Sequence, residues 1–269
     1  MPYANNDGIR IYYQVEGKGP PLVLHQALGQ VLQLWRTSGY VDALKDDYQL
    51  ILMDPRGHGG SDRPHDTAAL KLELMVSDVT AVMDDLGIGK AHFWGYSLGG
   101  YIGLLIPVYA PGRFHSLTIG GFPLDPMTPK GVKWFREFFD KGVDHYVADI
   151  EERLKPCWTP QLREKLLGSD MEALKATLDA LAEEYGVRAS LPSLSLPCLV
   201  YVGEEDSYYA RDKEAAERIP NATFVSLPGL DHWSAIYRSD LVIPHVRKFL
   251  SEVRQAASPT EGESNVSVS

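Results

Sequence analysis

Gly95-Tyr96-Ser97-Leu98-Gly99-Gly100 follows an apolar run and opens a helix-like one, and its reading decides the fold. In G-x-S-x-G the serine sits on a sharp strand-to-helix turn, and small flanking glycines let the backbone fold tightly. Such a turn lifts the hydroxyl above the carboxyl edge of a sheet. It also aims the next N–H, that of Leu98, at whatever the serine attacks. The surroundings agree with this reading. Lys90–Trp94 reads as a strand, and Leu98–Tyr109 reads as a helix with Leu98, Ile102, Leu105 and Ile106 on one face.

Outward from this turn the chain alternates strand and helix. Ile9–Val15 alternates in polarity and runs into Gly17-Lys18-Gly19-Pro20-Pro21. Leu22–Leu24, Leu50–Met53, Ala91–Trp94, Leu117–Ile119, Leu199–Val202 and Thr223–Ser226 are short apolar runs of the kind buried in parallel sheets. Tyr40–Lys45, Leu70–Leu86, Leu98–Tyr109, Asp212–Arg218 and Leu241–Val253 have helical periodicity. The pattern predicts a doubly wound, mostly parallel α/β sheet with helices on both faces. Phe122–Leu196 breaks the alternation. It holds no convincing strand, while Lys130–Phe139, Asp144–Leu154, Gln161–Leu167 and Met171–Glu184 look helical. The expected division is a core of residues 1–121 and 197–255, an inserted helical lid at 122–196, and a disordered tail at 256–269 rich in Ser, Pro, Glu and Gly. Trp134, Phe135, Phe138, Phe139, Tyr146 and Trp158 are available to line a pocket or to seal the lid onto the sheet.

Composition narrows the class. The 269 residues are 44% hydrophobic, enough for a substantial core, and carry a formal charge of −10. That acidity argues against nucleic acid as a partner. No apolar run approaches the roughly 20 residues a membrane helix needs, and no secretory leader is visible in Met1–Asp7. Two cysteines, Cys157 and Cys198, build no disulfide framework. A cytoplasmic protein acting on a small molecule is expected; oligomeric state is not legible. No H-E-x-x-H, Cys/His cluster, calcium loop, phosphate loop or dinucleotide fingerprint occurs, so neither metal nor cofactor is expected.

A serine hydroxyl needs a base within hydrogen-bond reach, itself held by a carboxylate. Partners belong at later strand ends on the same sheet edge. Gly203-Glu204-Glu205-Asp206 follows one such strand, and Leu227-Pro228-Gly229-Leu230-Asp231-His232 follows the next. Ser97, Asp206 and His232 are the candidate trio, with Glu204, Glu205 and Asp125 as competing acids. His92, inside a strand, reads as a core histidine, and His58 sits in a turn.

With these residues assembled, the chain resembles the α/β-hydrolase superfamily, in its lid-bearing esterase, lactonase and epoxide-hydrolase-like branch. The resemblance spans roughly Ile9 to Leu250. Asp54-Pro55-Arg56-Gly57-His58-Gly59-Gly60-Ser61 is similar to that branch's D-x-R-G-x-G-x-S turn, and serine at 97 fits acyl transfer to water. The resemblance implies a Ser-His-Asp hydrolase with the second oxyanion N–H on Ala27. It also exposes a departure, since His25-Gln26 stands where the family has His-Gly. Either the loop keeps its path, with Ala27 donating and Gln26 in the pocket as a substrate-binding group, or the loop is re-routed. Trp233, beside His232, is a further substrate-binding candidate, because a His-Trp pair occurs in carbon–carbon bond hydrolases of the superfamily. A lyase or cofactor-free oxygenase using His232 as base, and a receptor-like binding module, are the alternatives on this scaffold.

Overall fold

Most of the apolar runs form strands buried on both faces, as parallel sheets require, while Thr223–Ser226 at the sheet edge is only partly buried. The computed structural model describes residues 2–122, 127–183 and 187–257. Its strands are β1 (Tyr3–Asn6), β2 (Ile9–Glu16), β3 (Pro21–His25), β4 (Gln49–Met53), β5 (Ala91–Tyr96), β6 (Phe114–Gly120), β7 (Cys198–Gly203) and β8 (Ala222–Leu227). They form one sheet in the order β1-β2-β4-β3-β5-β6-β7-β8. β1 with β2 and β2 with β4 are antiparallel, and β3 onwards is parallel. The helices of eight residues or more are α1 (Leu72–Asp85), α2 (Leu98–Tyr109), α3 (Pro129–Phe139), α4 (Val143–Arg153), α5 (Pro160–Leu167), α6 (Met171–Glu183), α7 (Tyr209–Arg218) and α8 (Ser239–Ala257). Helices α3 to α6 lie between β6 and β7, and Pro129 and Pro160 start two of them. Pro129 and Pro160 follow Thr128 and Thr159, whose hydroxyls accept the N–H groups of Gly131 and Leu162 at 3.1 Å. Among the described residues no helix is long and apolar enough to cross a membrane.

The sheet separates two cores. Val23, Ile51, Phe93, Leu117 and Val200 face α1 and α2 on one side, while Leu22, Leu24, Leu50, Leu52, Trp94 and Tyr201 face Trp35, Tyr40 and α8 on the other. The chain leaves β3 towards β4 past Tyr40–Leu44 on the second face, then returns through α1 on the first face to β5. Between β3 and β5, which pair with His25 opposite Gly95, the winding therefore reverses. Ligands of doubly wound sheets bind at the carboxyl ends of strands beside such a reversal. The segments Gln26–Leu28 and Ser97–Leu98 emerge there.

Three expectations are corrected. β1 is a strand that the sequence reading passed over; it pairs with β2 through a two-residue turn at Asp7 (φ +50°) and Gly8 (φ +87°), the geometry of an Asp-Gly type I′ hairpin. The helix expected at Leu70–Leu86 is split. Asp66 caps a short 3₁₀ turn at Thr67–Leu70, and Lys71 is extended (ψ 142°), so the α-helix begins at Leu72. The final helix runs to Ala257, beyond the expected start of the tail at Ala256; residues 258–269 lie outside the described residues.

The turn resembling D-x-R-G-x-G-x-S has a structural role. Arg56, buried, donates through Nε and Nη2 to Asp78 of α1, both at 2.6 Å, and through Nη1 to the Ala69 carbonyl at 2.7 Å. Asp54 accepts the N–H of Leu32 at 2.7 Å and of Gly60 at 2.9 Å. That bond ties the loop after β3 to the turn after β4. Burial pushes the Asp54 carboxyl up to about 6, partly offset by these two N–H groups.

Candidate active site

Ser97 carries a positive φ of 54° with ψ −111°, a backbone conformation that an L-residue holds only under constraint. Its neighbours supply the constraint. The Ser97 N–H donates to the Gly120 carbonyl at 2.8 Å, and its carbonyl accepts the Tyr101 N–H at 2.9 Å, starting α2. A Cβ on Gly95 would lie 2.0 Å from the Gly99 carbonyl oxygen, and one on Gly99 would lie 2.4 Å from the His25 carbonyl oxygen. Both glycines are therefore needed for strand, helix and loop to meet.

His232 and Asp206 reach the same edge. His232 Nε2 is 3.2 Å from Ser97 Oγ, and His232 Nδ1 is 2.7 Å from Asp206 Oδ2. The Asp206 side chain is fully buried, and its other oxygen accepts the Tyr208 N–H at 2.9 Å. The Tyr96 hydroxyl donates to the His232 carbonyl at 2.6 Å and so fixes that loop against β5. A Cβ on Gly203 would lie 2.1 Å from the Leu230 carbonyl oxygen, so glycine at the end of β7 lets the His232 loop close down. Of the competing acids, Glu204 accepts the Ser226 hydroxyl at 2.7 Å on the surface and Glu205 borders a separate cleft. Asp125 lies outside the described residues.

The serine opens into a cavity of about 230 Å³. Trp134, Phe135, Phe138, Phe139 and Tyr146 line it, and Trp158 does not; Trp158 packs against the core beneath the inserted helices. Ala27, Leu98 and Trp233 line it as well. Gln26 is corrected: it is 1% exposed, lies outside the lining, and its Nε2 has no partner among the described residues. The loop nevertheless stays against the serine turn. Gln26 has no positive φ, and its carbonyl accepts the Gly99 N–H at 2.9 Å. A side chain is tolerated there because it turns inward, which leaves Ala27 to face the cavity.

Two features escaped the sequence reading. Asp212 of α7 is fully buried and accepts the Phe122 N–H at 3.1 Å. Burial, reinforced by the charge of Asp206, pushes its carboxyl up to about 9, so it is neutral at pH 7. Arg153 and Asp149 of α4 also line the cavity; only the folded helix shows that they point inward. His92 is a core residue, with Nδ1 2.8 Å from Ser116 Oγ. His25 and His58 are buried, and burial pulls both down to about 4. No cluster of three or more His, Cys, Asp or Glu side chains suited to a metal ion occurs among the described residues.

Comparison with known proteins agrees with this architecture. Residues 20–152 match the family model described as the alpha/beta hydrolase fold. The chain is 29% identical over 216 residues to 3-oxoadipate enol-lactonase 1 of Acinetobacter baylyi, covering 76% of this chain and 78% of the relative. It is 26% identical to a putative carbamate hydrolase RutD of Stutzerimonas stutzeri over 91% of this chain and 100% of the relative. The crystal structure of the enol-lactonase from Burkholderia xenovorans LB400 superposes with a TM-score of 0.81 at 27% identity, covering 93% of this chain and 100% of that one. The sheet, its reversal and these matches together place the chain in the α/β-hydrolase superfamily. Within it, the chain is a hydrolase.

Proposed function

We propose that this hydrolase cleaves a carboxylic ester or lactone of a small, partly apolar molecule through an acyl-enzyme on Ser97. The observation that carries the reading is the hydrogen-bonded series Asp206–His232–Ser97, at 2.7 and 3.2 Å, at the floor of the aromatic-lined cavity. Ser97 Oγ attacks the carbonyl carbon while its proton passes to His232 Nε2. Asp206 holds the imidazole with Nδ1–H towards it and stabilises the imidazolium. The N–H groups of Leu98, at the start of α2, and of Ala27 receive the oxyanion; neither has a backbone acceptor among the described residues. The tetrahedral intermediate collapses, and His232 returns the proton to the leaving alcohol. His232 then takes a proton from water as the water oxygen attacks the acyl carbon, and it returns that proton to Ser97 Oγ as the acid is released. Helices α3 to α6 serve as a lid that covers this chemistry and admits small substrates. The enol-lactonase relatives favour the ester or lactone bond over other acyl bonds.

The test is Ser97→Ala assayed on a short activated aryl ester, beside mass spectrometry after a fluorophosphonate. The variant is expected to lose at least about 10⁴-fold in kcat and to take up no adduct, while the wild type gains one phosphonyl group. Turnover surviving in the alanine variant refutes the assignment.

A further inference from the structure

The cavity wall is of two kinds. Trp134, Phe135 and Phe138 of α3 make part of it apolar. Arg153, the last residue of α4, adds a guanidinium to the wall and also borders the separate cleft beside Glu205. Arg153 donates through Nε at 2.6 Å and Nη2 at 3.3 Å to the two oxygens of Asp149, one turn back on the same helix. Its guanidinium carbon lies 4.9 Å from the centre of the Trp233 ring, and Trp233 directly follows His232. The group therefore stands one indole away from the imidazole that contacts Ser97.

Guanidinium has five N–H donors. The pairing with Asp149 engages one edge of the fork, and the Nη1 edge has no acceptor among the described residues, although the side chain is about one-third exposed. Asp149 and the Trp233 face hold the long side chain in place, so little rotamer entropy remains to be lost when a ligand binds. Asp149 also balances the charge, so the pair is neutral overall while Nη1 keeps its donors.

We propose that Arg153 is a specificity-determining residue. It selects substrates carrying an oxygen acceptor, a ketone or a carboxylate, on the part of the molecule remote from the scissile bond. The inference rests on the hydrolytic reading of Ser97 and adds the chemical class of substrate to it. An apolar substrate of the same length leaves the free donors unpaired and loses the benefit of this wall.

The experiment compares phenyl pentanoate, phenyl 4-oxopentanoate and monophenyl succinate, three acyl chains of similar length that end in apolar, ketone and carboxylate groups. Each is assayed with the wild type, Arg153→Met and Arg153→Lys, with spontaneous hydrolysis subtracted. Arg153→Met keeps a stem over Trp233 and is expected to lower the oxygen-bearing to apolar ratio of kcat/KM about ten- to hundred-fold, chiefly through KM. A fall in both the ketone and carboxylate arms identifies a general acceptor site. A fall in the carboxylate arm alone, partly restored by Arg153→Lys, identifies an anion site. A loss shared equally by all three substrates, or no loss, overturns the proposal. Ser97→Ala run alongside separates the two levels: if it abolishes turnover while the Arg153 ratios stay flat, only the selectivity assignment falls. If it spares turnover, the hydrolytic reading falls as well.

Discussion

Gly99→Ala is the substitution whose consequence the structure dictates most directly. The new Cβ would stand 2.4 Å from the His25 carbonyl oxygen, 2.8 Å from the His25 carbonyl carbon and 2.9 Å from the Gln26 carbonyl oxygen. Real Cβ contacts essentially never fall below 3.0 Å, so the closest pair must separate by at least 0.6 Å, the difference between 2.4 and 3.0 Å. The opposing atoms are backbone and cannot swing aside. They belong to the segment that presents Ala27, which is pinned at both ends by Gly99 N–H to Gln26 and by Leu32 N–H to Asp54. Oxyanion donors work over about 2.7–3.1 Å, and losing one costs about 2.7–4 kcal/mol, or 10²–10³ in kcat. A displacement of this size at Ala27 is therefore expected to lower kcat by about 10²-fold with KM changed only a few-fold. The overpacking itself costs about 1–3 kcal/mol of stability. Steady-state kinetics on an aryl ester and thermal unfolding measure the two effects separately. Gly89→Ala is the control, since its Cβ meets nothing within 4 Å and its φ is not positive. A Gly99→Ala enzyme with kcat within about fivefold of wild type would show that the contact between loop and elbow does not set the oxyanion geometry.

Two further outcomes follow from buried polar groups. The Asp212 carboxyl rises to about 9 in the native chain, mainly through burial, from an ordinary 3.8, so between those values the folded state holds a proton that the unfolded state has released. Stability from this group is full at low pH and falls as pH rises through the window. Asp212→Asn, whose amide oxygen can still accept the Phe122 N–H, should flatten the fall by up to about 1.4 kcal/mol per pH unit. Urea unfolding from pH 5 to 8.5 checks this, and parallel slopes for the two proteins would contradict it. Gln26 buries an amide nitrogen without a partner among the described residues. Gln26→Met removes that donor at similar length and should leave stability equal or raise it by about 1–3 kcal/mol in the same measurement. A loss above about 1 kcal/mol would mean that the amide is satisfied after all.

Most parallel strands were legible because burial on both faces leaves short apolar runs, and β3 to β8 extend the expected cores by one or a few residues. The hairpin of β1 was legible too, in Asp7-Gly8, but its four polar and mixed residues carry no apolar run to draw attention. The break at Lys71 was not legible, since Leu70–Leu86 keeps helical periodicity through it. What sets the Thr67–Leu70 turn apart from the helix is the Asp66 cap and the reach of Arg56 to the Ala69 carbonyl. In the site, Ser97, Asp206 and His232 stood out as side chains at strand ends. Asp206 could not be told from Glu204 and Glu205 by position alone. The approach of the His232 loop to Gly203 turns Asp206 inward and leaves its neighbours outside.

By itself the sequence determined the alternation of strand and helix, the strained serine turn and the chain order of the three side chains. Each of these follows from local periodicity, or from glycine's freedom at a single turn. The tertiary structure alone decided that Gln26 is packed away, that Asp212 is a neutral acid behind Asp206, and that Arg153 faces the cavity while paired with Asp149. Burial, charge balance and the direction of a side chain are sums over neighbours that lie far apart along the chain, so no window of sequence contains them. They exist once β3, β5, β6 and β7 stand side by side and α4 joins the cavity wall above Ser97.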